Sequence, residues 1–310
     1  TKRKMQFSHL PVMLNECIDA LNIKPNGLYV DCTLGGAGHS FEIAKRLTDG
    51  GKLIGIDRDE EALEAAGERL APFSDRVELV HSNFCDVDAV LGSRKADGVL
   101  IDLGVSSHQL DTAERGFSYI NDAPLDMRMN RADPVTASDI VNSYSREQLT
   151  KIFYDYGEEK FAPKVADAII ASRSKKAIET TLELAELVRS SVPRPKDGGH
   201  PAKRVFQAIR IEVNNELGII EPTILKLADL LNAGGRLAVI TFHSLEDRIT
   251  KHTFASLANP CTCPKDFPVC ICGKKPSVKL ISKKPITSTA EELKNNSRAH
   301  SAKLRVAEKI

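Results

Sequence analysis

No stretch of the 310 residues approaches the roughly 20 uninterrupted apolar residues that a helix needs to cross a bilayer. No apolar run follows the basic start Thr1-Lys2-Arg3-Lys4-Met5 either, so no secretory leader is expected and the cytoplasm is the default. Internal repeats and low-complexity segments are absent, which sets aside solenoids and disordered linkers. Net charge is lacking too, with 43 Lys and Arg facing 42 Asp and Glu. The neutral total hides an asymmetry, because residues 261–310 carry eleven Lys and Arg against four Asp and Glu. Such a surplus fits a tail that meets phosphate, and it fits a solvated lysine-rich surface equally well. The hydrophobic share of 42% and charged share of 27% are those of an ordinary soluble fold, with enough chain for one large domain or two smaller ones.

What is present is most informative between residues 28 and 57. Leu28-Tyr29-Val30-Asp31 reads as a buried strand, Gly35-Gly36-Ala37-Gly38 as a glycine loop opening a helix, and Leu53-Ile54-Gly55-Ile56-Asp57 as a second strand ending in a carboxylate. Free N–H groups at the start of that helix favour polar or anionic groups. Asp57 stands where such folds place an acid to accept hydrogen bonds from a ribose diol. From Gly36 the chain reads Gly-Ala-Gly-His-Ser-Phe, so the third glycine of a dinucleotide fingerprint is replaced by Phe41, which would push the helix away from the strand. An acid closing the first strand ahead of the glycines, here Asp31, is instead the pattern of S-adenosylmethionine sites. An ordinary strand-to-helix turn is the plainer alternative.

Further along, Val77–Val80 and Ala96–Asp102 read as a third and a fourth strand, the latter continuous and apolar as a doubly buried strand should be. The order β-α-β-α-β predicts an α/β fold with a doubly wound, Rossmann-like sheet. The rhythm then breaks, and residues 145–156, 161–172 and 180–191 read as helices. Sheet patterning resumes at Gly235–Phe242, and 278–281 and 303–307 are candidate last strands, the latter alternating like a half-exposed edge. The expected organisation is a discontinuous sheet domain, 1–109 and 202–310, with a helical substrate-binding domain, 110–201, inserted at the carboxyl edge where open α/β folds bind ligands and where it could act as a wall or lid.

Asp102 ends the fourth strand in Asp102-Leu103-Gly104-Val105, where amino methyltransferases usually carry Asp/Asn-Pro-Pro-aromatic. With Gly35–Ser40, Ile56–Asp59, Asp102–Ser107, Arg115–Ser118, Leu125–Met129, Tyr156–Glu159, His200–Ala202 and Phe242–Arg248, the chain resembles, nearly end to end, the bacterial small-subunit (16S) ribosomal RNA cytosine-N4 methyltransferases of the MraW or RsmH type. That family lacks the Pro-Pro-aromatic run as well. The resemblance implies an S-adenosyl-L-methionine-dependent enzyme that methylates the exocyclic amine of one cytidine. It implies cofactor contacts at Gly36, Ala37, Gly38, His39, Asp57, Phe84, Asp102 and Gln109, with Phe84 stacking on the adenine. Its partner would be small-subunit ribosomal RNA, free or as the assembled 30S particle, with no membrane and no obligate protein partner. A DNA amino methyltransferase and a turnover-free ribosome-assembly factor are the rival readings; the missing Pro-Pro-aromatic run weighs against the first, and the intact loop and acids against the second.

Chemistry makes Asp102 the expected catalytic residue. The lone pair of the cytosine amine is delocalised into the ring, so an acceptor must align it, and orientation and electrostatics carry the rate. For RNA, Lys203, Gln207, Arg210 and Asn214 fall on one face of a helix at 202–217, with Val205, Ile209 and Val213 on another. Lys203, Arg210 and Asn214 are therefore candidate substrate contacts, though a solvated helix face has the same pattern. His243 and Ser244, after the fifth strand, are candidates to touch the base, with a core histidine as the plainer reading. A paired base would have to be flipped out to be reached. Cys261-Thr262-Cys263 and Cys270-Ile271-Cys272 could offer four thiolates to zinc, but their spacing departs from Cys-x-x-Cys and no metal site is assigned. Cys17, Cys32 and Cys85 read as buried apolar residues.

Overall fold

The computed structural model describes residues 11–195, 198–264, 269 and 271–310; the basic start 1–5 and Cys270 lie outside the described residues. The chain separates into two compact units, Thr1–Gly104 with Leu217–Ile310, and Val105–Glu216. Unit 1 opens with α1 (Leu14–Leu21), β1 (Leu28–Asp31), α2 (Gly38–Arg46), β2 (Lys52–Asp57), α3 (Glu60–Leu70), β3 (Val77–His81), α4 (Val87–Leu91) and β4 (Ala96–Asp102). Unit 2 holds α5 (Ser107–Asp111), α6 (Ala137–Ser143), α7 (Arg146–Asp155), α8 (Ala162–Arg173), α9 (Thr181–Ser191) and α10 (Lys203–Asn214). Unit 1 resumes with α11 (Ile220–Leu230), β5 (Leu231–Thr241), α12 (Ser244–Ala258), β6 (Val278–Leu280), β7 (Ile286–Thr287), α13 (Ala290–Asn295) and β8 (Lys303–Lys309).

The sheet of unit 1 runs β3-β2-β1-β4-β5-β8-β6, with β7 also on β8. Strands β1 to β5 are parallel, and β8 is antiparallel to β5 and β6. Alternate residues feed two cores. Leu100, Ala238 and Ile240 face a layer with α1 and α2, while Val99, Ile101, Leu237 and Val239 face one with α4 and α11. Burial on both faces is what the unbroken apolar runs of these strands require. The chain order reverses between β1 and β4, so the crevice at their carboxyl ends is the ligand position of such a sheet. One expectation needs correcting. β8 is not an exposed edge; it lies between β5 and β6, with Leu304, Val306 and Ala307 buried, and the short β6 is the outer strand. Its charged residues are paired there, Arg305 with Asp247 and Glu308 with Arg236.

Unit 2 is helical, with one isolated bridge, Pro124 to Thr180, among the described residues. Thr136, Ser145 and Thr180 each close a reciprocal capping box with the residue three positions on, which fixes where α6, α7 and α9 begin. The division falls at 104/105 and 216/217, not at 109/110 and 201/202. The reason is α10, whose Val205, Phe206, Ala208 and Ile209 complete the same core as Leu149, Phe153, Val165 and Leu184. Two buried polar side chains lock the loop before α6. Arg115, 1% exposed, donates to the Arg128 and Met129 carbonyls at 3.0 and 2.8 Å. Asn214 Oδ1 accepts from the Met129 N–H, and its Nδ2 donates to the Met127 and Arg210 carbonyls. Asn214→Ala leaves those loop groups unpaired in a buried place, and is expected to lower stability by about 2–3 kcal/mol in urea unfolding followed by circular dichroism.

Candidate cofactor site at the carboxyl edge of the sheet

The glycine loop is held from three sides. The Leu34 N–H donates to the Ile56 carbonyl at 3.0 Å, the Gly35 N–H to Asp57 Oδ2 at 2.8 Å, and Arg69 Nη1 to the Gly36 carbonyl at 2.8 Å. Gly35 sits at φ +48°, a left-handed turn that costs a glycine little, and a Cβ on Gly38 would lie 2.6 Å from the Pro11 ring. Ala37 also adopts the left-handed region, at φ +55°, directly before α2. Phe41, in the position of the missing third glycine, packs edge-on against Phe73 at 5.2 Å with the Arg69 guanidinium over its ring. The residue that spoils a dinucleotide fingerprint therefore helps to anchor the arginine that braces the loop.

Three carboxyls end three neighbouring strands. Asp31 is 1% exposed; Ser40 Oγ donates to Oδ2 at 2.6 Å and the Thr33 N–H to Oδ1 at 3.2 Å. Burial outweighs those bonds and pushes its pKa up to about 7. Asp57 accepts from Gly35 and Asp59 N–H groups, and burial raises it as well. At Asp102 the backbone N–H donates to Thr33 Oγ1 at 2.6 Å, fixing the strand tip. Its buried Oδ1 has no hydrogen-bond partner among the described residues. Burial first, then the negative charges of Asp31 and Glu246, hold this carboxyl well above the usual range.

His39 adds a further acceptor. Its Nε2 lies 3.0 Å from the Val12 carbonyl, and burial lowers its pKa to about 4, so the ring is neutral near pH 7. A carbonyl only accepts, so Nε2 carries the proton and Nδ1 does not. Nδ1 then stands 3.9 Å from Asp102 Oδ2, two acceptors facing each other beyond hydrogen-bond reach. Once a cation beside them favours the ionised forms of Asp31 and Asp102, the two carboxylates and the bare imidazole nitrogen make a site rich in acceptors and poor in donors. A positively charged, N–H-bearing ligand is its natural complement.

The other predicted positions are placed as follows. Phe84 begins a short 3-10 turn after β3 and lies half-buried against the second core. His243 precedes α12, its Nε2 3.1 Å from Glu246 Oε1, and Ser244 is exposed at the helix start. Glu246, not singled out from sequence, is 1% exposed and accepts from the Phe242 and His243 N–H groups. The signal for it was an acid three residues past a helix cap.

The remaining positions belong to unit 2. Gln109 is buried, and its Oε1 accepts from the Ser106 N–H in a capping box. The expected outward stripe on α10 does not form. Lys203 is exposed, but Arg210 binds Glu216 through two 2.9 Å bonds, Gln207 donates to the Tyr156 carbonyl, and Asn214 is buried on the 127–129 loop. The helix spends these polar groups on its own unit.

Asp31 gives the site a pH signature. A folded-state pKa raised above the unfolded value contributes stability that is complete below about pH 4 and lost as pH rises through about 7. Asp31→Asn escapes that loss, so its stability relative to the unsubstituted protein is expected to grow between those limits, by up to about 4 kcal/mol. Urea midpoints of both proteins across pH 4–8 check this, and parallel profiles would remove the assignment.

A family model described as the MraW methylase family matches residues 6–310. A protein of Lachnospira eligens named ribosomal RNA small subunit methyltransferase H is 56% identical over 99% of this chain and 99% of its own. Proteins of the same name from Clostridioides difficile and Clostridium botulinum (strain Loch Maree / Type A3) are 55% and 56% identical, each over 99% of this chain and 100% of theirs. A matched glycine loop, three strand-end acids and this end-to-end likeness lead to one assignment: the chain belongs to the MraW methylase family.

Proposed function

We propose that the protein transfers a methyl group from S-adenosyl-L-methionine to the exocyclic N4 amine of a cytidine in small-subunit ribosomal RNA. The observation that carries the donor is the acceptor-rich sheet edge at Asp31, His39 and Asp102, in which Asp102 Oδ1 has no partner among the described residues. When bound, S-adenosylmethionine supplies an electrophilic methyl on a sulfonium together with an ammonium group. Asp31 and Asp102 fit the cationic amino-acid end of such a molecule. Asp57, which still has lone pairs beyond those taken by Gly35 and Asp59, fits the ribose diol. Gly36, Ala37, Gly38 and His39 supply loop backbone and ring, and Phe84 an aromatic face for the adenine. The names of the relatives, ribosomal RNA small subunit methyltransferase H, support small-subunit RNA as substrate, and the family resemblance supports the cytosine amine.

For the transfer itself, Asp102 orients the amine. A carboxylate accepts one N–H of the cytosine, directs the remaining lone-pair density at the methyl carbon, and stabilises positive charge as it develops on nitrogen. Product formation releases one proton, and a carboxyl raised by burial yet ionised beside a cation is suited to take it and pass it to water. No covalent bond to the protein is needed, because the attack is at nitrogen. Lys203, exposed on unit 2, is retained as a candidate RNA contact. His243 and Ser244 are retained for the base, whereas Arg210 and Asn214 are better explained by their internal partners. The partner is the RNA, free or within the 30S particle, and the work is cytoplasmic.

Two substitutions separate the roles. Asp102→Ala is expected to lower labelled methyl transfer to small-subunit ribosomal RNA by about 100-fold or more, with donor binding weakened but detectable by calorimetry. Asp57→Ala is expected to act mainly on donor affinity, by about tenfold for one lost charged hydrogen bond, or about 1.5 kcal/mol. Nucleoside mass analysis should find N4-methylcytidine as the product. Near-normal turnover in Asp102→Ala, or a label found elsewhere than N4, would overturn the reading.

A further inference from the structure

Residues 259–277, between α12 and β6, contain no helix or strand among the described residues. The base of this excursion is tied, since the Ser277 N–H donates to the Leu257 carbonyl at 3.0 Å and the Ile310 N–H to the Ser277 carbonyl at 3.2 Å. Its described bulky apolar side chains do not order it: Val269 is 70% and Ile271 75% exposed. Long connections without internal structure are uncommon in compact domains unless something holds them. Here three sulfurs come together. The Sγ atoms of Cys261, Cys263 and Cys272 all lie within 4.8 Å of one another, and those of Cys261 and Cys272 are 3.9 Å apart.

We infer that Cys261, Cys263 and Cys272 hold a structural zinc ion that cross-links this loop. In a tetrahedral zinc thiolate, bonds of about 2.3 Å place neighbouring sulfurs about 3.8 Å apart, which the Cys261–Cys272 separation matches. A disulfide would need sulfurs near 2.05 Å and is not what the three-fold grouping describes. The Ile271 N–H points at Cys263 Sγ from 3.3 Å, the kind of outer hydrogen bond that stabilises a charged thiolate ligand. Lys274 and Lys275 are exposed just after Cys272, so the segment carries positive charge beside the proposed ligands. Thiolates select soft ions, and a redox-inert tetrahedral ion suits a purely structural cross-link. Cys17 and Cys32 are buried elsewhere in unit 1, and Cys85 follows β3, so the three described cysteines of this loop are a set apart from them.

The full chain, purified under reducing conditions without chelator, tests this by elemental analysis. One zinc per chain is expected, and none in Cys261→Ser/Cys272→Ser, while that variant keeps a cooperative unfolding transition for its core. Cobalt(II) added to metal-stripped protein should give the intense thiolate-to-metal absorption of a tetrahedral sulfur site. Zinc binding should also release protons, since thiols must ionise to ligate. Protein that carries no zinc and gives only the weak spectrum of octahedral cobalt would overturn the inference. So would a double variant that retains its zinc, or a disulfide among these three cysteines in place of metal.

Discussion

Carboxyl groups withdrawn from water, with no positive partner among the described residues, are the constraint on which the site in unit 1 is built. The adjacency β2-β1-β4, with all three strands parallel, brings Asp57, Asp31 and Asp102 to one edge of the sheet, Asp31 level with Gly55 and Leu100 and so two residues short of the other acids. Desolvation alone costs several kcal/mol for each ionised acid. The protein meets that cost only in part, through Ser40, Thr33, Gly35 and Asp59, and lets the pKa values rise for the remainder. A fold selected for stability alone would place apolar side chains there. Retaining the acids makes sense where a cationic ligand restores their charge on binding, so the desolvation they bear and the affinity they offer are two sides of one quantity.

Unit 2 handles buried polarity the opposite way. Arg115 and Asn214 are as deeply placed as Asp31, yet both are spent on the 127–129 backbone. At Asp126, burial works to raise the pKa, but the bonds and charge of Arg128 prevail and hold it low. The Asp126–Arg128 pair in turn fixes the turn that presents Met127, at φ +60°, to its core. These groups are satisfied internally and make no demand on a ligand.

Much of this could be read from residues alone. The strand-loop-helix order, the sheet class, the glycine loop and the strand-end acids rest on local patterns: unbroken apolar runs, clustered glycine, and acids at fixed places. The helices 145–156, 161–172 and 180–191 were legible because their caps are Ser, Thr or a turn before regular apolar spacing. What stayed hidden depends on partners far away in sequence. Asn214 looks like a surface residue until Met127 and Met129, more than eighty positions earlier, are brought to it. β8 alternates like an edge strand, because its outward charges find Asp247 and Arg236 only after the sheet forms. The short helix α6 was missed, being a turn or two long with little periodicity to show. Glu246 was passed over because a capping acid and a buried one look alike in a string of letters.

The insertion of unit 2 also shapes how the molecule comes to be folded. Asp102 on β4 pairs with Ile240 on β5, so the centre of the sheet joins segments that the whole of residues 105–216 keeps apart in the chain. Closing so wide a loop of unstructured polypeptide is slow and entropically unfavourable. Unit 2 has its own apolar interior and its own helix caps, so it can condense early and turn a floppy tether into a short, stiff one. Condensation of unit 2 would therefore shorten the loop that has to close before β4, which ends in Asp102, can pair with β5.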